Sequence, residues 1–127
     1  MNLEKVVFAF FIILAATLNF GFVIGEIDNP QHHNHWEFFA AFVVNIIATV
    51  LKFGDRTQVG ATHLATSLVA LLQLAAAALI WTLAPTGPDG TIAPETMTSI
   101  VSLSAGALLA NVVSVVILIV ETTLQRR

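Results

Sequence analysis

Four long apolar runs divide the chain, at about residues 6–24, 36–53, 60–83 and 97–120. Charged residues occur only at the ends of these runs, as Glu37 and Lys52 do in the second. A helix needs about 20 apolar residues to cross the hydrocarbon core of a bilayer, and lipid-exposed runs of this length must be helical to satisfy their backbone. Because the connections are short, the pattern predicts a single all-α domain over residues 1–127, an antiparallel bundle of four transmembrane helices.

The composition agrees with this pattern and excludes several classes of protein. Hydrophobic residues make up 57% of the chain, charged residues make up 10%, mean hydropathy is +0.87, and cysteine is absent. No soluble domain remains, and disulfides, thiolate metal sites and thiol catalysis are excluded. The chain has no phosphate loop, nucleophile elbow, zinc-protease helix or basic nucleic-acid patch. We therefore expect neither an enzyme nor a nucleic-acid partner.

The charges predict an orientation. All positive charges fall on one side of a four-span topology, at Lys5, Lys52, Arg56, Arg126 and Arg127. The positive-inside rule makes that side, with both termini, cytoplasmic. The opposite loops contain no Lys or Arg and contain the acidic residues Glu26, Asp28, Glu37, Asp89 and Glu95. We expect Glu26, Asp28 and Glu37 to form an acidic outer mouth.

Each apolar run contains one amide near its middle: Asn19, Asn45, Gln73 and Asn111. At about 1.5 Å per residue, these amides fall in a band close to the bilayer midplane. Thr49 and Ser104 extend the same polar stripes, with His63 about one turn inside the cytoplasmic edge. The stripes either join the helices by hydrogen bonds or line a path for a small cation. The membrane interior contains no acidic residue, which disfavours proton-coupled transport.

Small residues recur at helical spacing in two places. Gly21 and Gly25 form a Gly-xxx-Gly pair, and a stripe at every fourth position follows the last run: Ser102, Gly106, Ala110 and Ser114. Such stripes let helix backbones approach closely. They predict either packing inside the bundle or a subunit interface, and we expect a homo-oligomer or a larger membrane complex.

Three histidines cluster between the first two runs, at His32, His33 and His35. Together with the neighbouring carboxylates they are ligand types suited to zinc, copper or nickel, although their spacing is poor for one ion. An interfacial loop anchored by Trp36 and a pH-responsive loop are the alternatives. Apart from a divalent metal at this loop, no cofactor is expected.

Three segments, at residues 2–5, 20–30 and 48–58, resemble an uncharacterised family of small bacterial inner-membrane proteins. They read NLEK, FGFVIGEIDNP and ATVLKFGDRTQ. The resemblance extends over nearly the whole chain and implies location in a bacterial inner membrane. It implies no role for any residue.

The leading functional hypothesis is an oligomeric cation channel or another component of ion transport, with an acidic outer mouth and amides at the midplane. A structural or assembly subunit of a larger membrane complex is the first alternative. An outer-face metal-binding module built on the three histidines is the second.

Overall fold

The computed structural model of the protein describes residues 3–26, 28–55, 57–88 and 90–125. These ranges form four α-helices: α1 Leu3–Val23, α2 His35–Lys52, α3 Gln58–Leu83 and α4 Pro94–Gln125. A short 3-10 helix at Pro30–His32 precedes α2. All four α-helices are long and apolar enough to cross a membrane, which confirms the predicted all-helical architecture. Of the charges used to predict the orientation, Arg56, Asp89, Arg126 and Arg127 lie outside the described residues.

The helices pack as a closed bundle. Each helix has its main contacts with its neighbours in sequence, and α1 also packs against α4. Consecutive helices joined by short connections run in opposite directions, so the bundle has two distinct ends. We call the end where α1 starts and α4 finishes the termini end; the α2–α3 turn also lies there. The opposite end, with the α1–α2 and α3–α4 connections, is the loop end.

Local signals explain where the helices begin. The Asn34 side chain accepts a hydrogen bond from Trp36 N at 2.8 Å and caps α2. The Thr57 hydroxyl accepts one from Gly60 N at 2.9 Å and caps α3 in the same way. Helix α4 starts at Pro94, whose fixed φ suits a first helical turn. These caps satisfy backbone N–H groups that a helix start otherwise leaves unpaired.

The core of the bundle contains two separate apolar clusters. The larger lies towards the loop end and includes Phe22, Phe38, Leu74, Met97 and Ile100. The smaller lies near the termini end and consists of Phe8, Ile12, Ala48 and Leu118, with partly buried neighbours. Many large apolar side chains on the outside of the bundle are exposed.

Candidate functional site

Four buried polar side chains, Asn45, His63, Ser67 and Asn111, form what we call the polar layer. All four are 0% exposed and come from three helices, α2, α3 and α4. Burying a polar group without a hydrogen bond is costly, so such groups mark places where the sequence serves more than packing.

The register of the helices brings these residues to similar depths. His63 Nδ1 lies 2.7 Å from the Ser114 hydroxyl, which aligns α3 with α4 at this point. Ser67 follows His63 by one turn and Asn111 precedes Ser114 by three residues, so both lie about 5 Å further towards the loop end. On α2, Asn45 lies about 10 Å from the end of the helix at Lys52. Measured from the α2–α3 turn, this depth lies between those of His63 and Ser67 on α3.

Polar atoms of every member of the polar layer have no hydrogen-bond partner among the described residues. They are Asn45 Oδ1, His63 Nε2, Ser67 Oγ and both amide atoms of Asn111. Apart from the contact between His63 and Ser114, the side-chain bonds of α2 near the layer stay within that helix, from Asn45 Nδ2 to Ala41 O at 2.9 Å and from the Thr49 hydroxyl to Asn45 O at 2.8 Å. The layer therefore offers unused donors and acceptors at similar depths in the bundle and contains no carboxylate.

At the termini end Phe8, a member of the smaller apolar cluster, covers His63. The Phe8 ring contacts the edge of His63 with centroids 4.9 Å apart, and Lys52 Nζ lies 4.2 Å from the Phe8 centroid. Phe8 and Lys52 also line a surface depression of about 900 Å³, bordered by Asp55 and Glu121. The layer is thus separated from this depression by about the thickness of one side chain.

Ion pairs join the elements around that depression. Lys5 lies 3.5 Å from Glu121, which joins α1 to α4, and Lys52 lies 3.4 Å from Asp55. Hydrogen bonds from the Thr57 backbone N–H and hydroxyl, with a smaller contribution from Lys52, hold the pKa of the Asp55 carboxyl below its usual range. Asp55 therefore stays ionised and fixes the turn that leads into α3.

At the loop end an aromatic group closes the bundle. Phe22, Phe38 and Trp81 lie with ring centroids 5.2 to 5.7 Å apart. His33 packs on Phe22 at 5.5 Å and is 4% exposed. Together with Met97 and Leu74 of the larger apolar cluster, these side chains separate the polar layer from the loop end.

His33 also fixes the α1–α2 connection. Its Nδ1 lies 2.6 Å from Phe22 O, a carbonyl in the last turn of α1, and its Nε2 lies 2.7 Å from Glu26 O. Each ring nitrogen thus lies within hydrogen-bond distance of a backbone carbonyl oxygen, one in the last turn of α1 and one in the connection that follows.

The other two histidines of the predicted metal cluster have different neighbours. His32 Nδ1 accepts a hydrogen bond from Glu26 N at 2.9 Å, and the His35 ring packs between Phe39 and Trp81. No group of three His, Asp or Glu side chains in the described ranges is placed to hold a metal ion. The geometry therefore gives the metal-binding alternative no support.

The predicted acidic mouth is spread over the loop end. Glu26 and Asp28 are exposed, whereas Glu37 is half-buried beside Gly21 in the groove between α1 and α2. A side chain added at Gly21 would overlap the Glu37 carboxylate, so the glycine makes room for it. Of these three carboxylates, only those of Glu26 and Asp28 face the surroundings directly.

The four predicted midplane amides do not meet. With its amide oriented to suit its neighbours, Asn19 donates to Ser104 O and accepts from Leu108 N, both at 3.1 Å, and so joins α1 to α4. Gln73 lies on the flank of the bundle, half-buried in a groove between α3 and α4, where Gly106 leaves space for it. Only Asn45 and Asn111 belong to the polar layer, and no hydrogen bond links any two of the four amides in the described chain.

The small residues of the two predicted stripes also lie in different surroundings. Gly25 lies beyond the end of α1 with a φ of 105°, so it forms a turn against His32 and is not part of a helical stripe with Gly21. A positive φ strains residues with a side chain, which explains glycine at this position. The α4 stripe turns from the surface to the core along its length, because Ser102 is exposed while Ala110 and Ser114 are buried.

Sequence reasoning missed two residues that shape the site, Ser67 and Phe8, and the role of a third, His33. Ser67 was not singled out, although it follows His63 by one turn on the same helix face, and that spacing was a usable signal. The roles of Phe8 as a cover and of His33 as a link to α1 depend on contacts between distant residues. No local pattern indicates them.

A comparison with known protein families gives one match. The model of a family of unknown function, DUF6394, matches residues 32–122, which include α2, α3 and most of α4. No curated protein and no solved structure matches the chain. The polar layer lies entirely within the matched residues. Since the match covers most of the chain, the protein belongs to the DUF6394 family.

Proposed function

We propose that the protein is a component of cation transport that binds a small monovalent cation at the polar layer. The four helices cross a bacterial inner membrane with the termini end in the cytoplasm, as the distribution of Lys and Arg indicates. Several copies, or one copy with partners, form the working unit.

The unpartnered polar atoms of the layer carry this proposal. Asn45, Ser67 and Asn111 contribute neutral oxygens, and all of them are fully buried without a hydrogen-bond partner in the described chain. Asn19, which joins α1 to α4, has both amide atoms paired, whereas these oxygens have no partner in the described chain, as is also true of Ser104 Oγ and Gln73 Oε1 outside the layer. A bound cation would supply the partner that these oxygens lack.

The absence of charge in the polar layer selects the kind of ion. Divalent cations such as Ca²⁺ and Mg²⁺ are held by carboxylates, and the layer contains none. Neutral oxygens bind a monovalent cation weakly enough for it to leave again, which transport requires. The exposed carboxylates of Glu26 and Asp28 raise the local cation concentration at the loop end.

The apolar side chains that close the two ends of the bundle indicate which groups the ion must pass. On the termini side it must pass the smaller apolar cluster, in which Phe8 contacts His63 and borders the surface depression. On the loop side it must pass the group of Phe22, Phe38 and Trp81. Transport therefore involves movement of these aromatic side chains and is slower than flow through a permanent water-filled pore.

Ion movement in liposomes tests the proposal. Purified protein is reconstituted, and a potential-sensitive dye reports charge movement down gradients of sodium, potassium and ammonium. We expect Asn111→Leu to lower the rate about tenfold, since one lost oxygen contact costs about 1.4 kcal/mol.

Gln73→Leu is the matched control, because it removes an amide from the flank of the bundle and leaves the polar layer intact. Its rate should equal that of the unmodified protein. An Asn111→Leu protein that is folded and monodisperse yet conducts normally would overturn the proposal, as would no charge movement with any of the three cations.

A further inference from the structure

We infer that the surface depression at the termini end binds the headgroup of one phospholipid that carries a phosphate beside a primary ammonium, as phosphatidylethanolamine does. The depression is a site separate from the polar layer, so lipid binding there goes beyond the proposed function and requires no bound cation. The cavity, the two signs of charge that line it and its apolar side chains carry the inference.

Charged groups of both signs line this one depression. Two ammonium groups and three carboxylates belong to its described lining: Lys5, Lys52, Glu4, Asp55 and Glu121. They come from α1, the end of α2, the α2–α3 turn and α4. A lone phosphate would meet more carboxylates than ammonium groups in this lining, and a lone cation would meet two ammonium groups. A zwitterion instead offers a charge of opposite sign to each kind of group.

The ion pairs inside the depression can exchange for a bound headgroup. The distance from nitrogen to oxygen is 3.5 Å between Lys5 and Glu121 and 3.4 Å between Lys52 and Asp55, and these side chains are 13% to 34% exposed. Charge-assisted hydrogen bonds are shorter, about 2.7 to 2.9 Å, and partly exposed pairs contribute little to stability. A phosphate can therefore approach the lysines, and an ammonium the carboxylates, without the loss of a strong internal bond.

The apolar part of the lining and its position favour a lipid over a soluble zwitterion. Leu3 and Leu51, which are 68% and 42% exposed, line the same depression as the charged groups. Lys52 is the last residue of α2, and Glu121 directly follows the fourth apolar run. This is the depth at which lipid headgroups meet acyl chains. A lipid can cover the leucines with its acyl chains while its headgroup contacts the charges.

The lining also favours a primary ammonium over a quaternary one. Choline is recognised by cages of several aromatic rings, and Phe8 is the only aromatic residue in the described lining of the depression. Lys52 Nζ already lies 4.2 Å from the centroid of that ring. Carboxylates accept hydrogen bonds from a primary ammonium, whereas a trimethylated ammonium has no N–H to donate. Phosphatidylethanolamine therefore fits better than phosphatidylcholine, and phosphatidylglycerol lacks the positive charge.

Lipid retention in native mass spectrometry measures this preference. The full chain is freed of lipid in mild detergent and given equal amounts of phosphatidylethanolamine, phosphatidylcholine and phosphatidylglycerol with identical acyl chains. We expect one phosphatidylethanolamine per chain, bound saturably and about tenfold more tightly than the other two lipids, equivalent to about 1.4 kcal/mol. Glycerophosphoethanolamine, which has the same headgroup without acyl chains, should not displace it at equal concentration.

Glu121→Gln is the decisive variant, because it removes a carboxylate with little change in size and, unlike Asp55, Glu121 does not hold the Thr57 turn. It should lower retention of phosphatidylethanolamine to that of phosphatidylcholine. Lys52→Gln should weaken retention of both lipids, since both contain the phosphate. Glu26→Gln changes an exposed carboxylate at the loop end and is the matched control, with the preference of the unmodified protein.

Four results would overturn the inference. They are equal retention of the three lipids, a preference for phosphatidylglycerol, an unchanged preference in a monodisperse Glu121→Gln protein, and displacement of the lipid by glycerophosphoethanolamine. None of these results depends on ion movement, so the proposed function is tested separately.

Discussion

Asn19 and Asn111 are the same residue type near the middle of their helices, yet their surroundings differ. The Asn19 amide bridges Ser104 O and Leu108 N, two groups of one turn of α4, whereas both amide atoms of Asn111 lack a partner in the described chain. Asn19 is therefore a link between helices, and Asn111 belongs to a binding layer. The sequence predicts that both are buried, but only the packing of α1 on α4 distinguishes the two roles.

This contrast predicts different effects of the same substitution. Asn19→Leu removes two hydrogen bonds between α1 and α4 and should lower the free energy of unfolding by about 1 to 3 kcal/mol. Asn111→Leu removes no bond with the rest of the chain, so we expect a stability equal to or above that of the unmodified protein. Reversible unfolding in mixed detergent measures both values. An equal loss of stability in the two variants would show that Asn111 also joins the helices.

The hydropathy pattern predicts that the four helices form, but it does not predict where each helix ends. The fourth apolar run ends near residue 120, but α4 continues to Gln125. Glu121 in this extension pairs with Lys5, and the Thr123 hydroxyl bonds back to Ile119 O at 2.9 Å. Polar residues can thus extend a helix beyond the apolar run. A hydropathy pattern does not predict this extension.

The α1–α2 connection depends on His33 more than on its two neighbouring histidines. His33→Leu removes the two ring nitrogens that lie within hydrogen-bond distance of Phe22 O and Glu26 O, at a cost of about 1 to 3 kcal/mol, and should open the loop end locally. Hydrogen exchange of residues 21–34 should become faster. Gln31→Ala changes an exposed side chain of the same segment and is the control. Unchanged exchange in His33→Leu would contradict the proposed link.

For the whole molecule, the sequence predicts the number of helices, their apolar surface and the presence of buried amides. It does not predict that polar residues lie between two apolar clusters, because this arrangement depends on which helix faces meet. His63 is an example. The sequence predicts its position on α3, but it does not predict its contacts with Ser114 and Phe8, because these join residues far apart in the chain. The family match assigns the protein to the DUF6394 family, whose function is unknown, and so indicates no activity.

Cation binding by the buried polar layer is the basis of the proposed function. Its most direct test is nuclear magnetic resonance of the side-chain amides of asparagine and glutamine, with the protein in bilayers and ammonium added stepwise. We predict saturable shifts of the Asn45 and Asn111 amide signals and no shift at Gln73, which lies on the flank of the bundle. Signals that stay unchanged throughout, or that move equally at all three amides, would contradict a cation site in this layer.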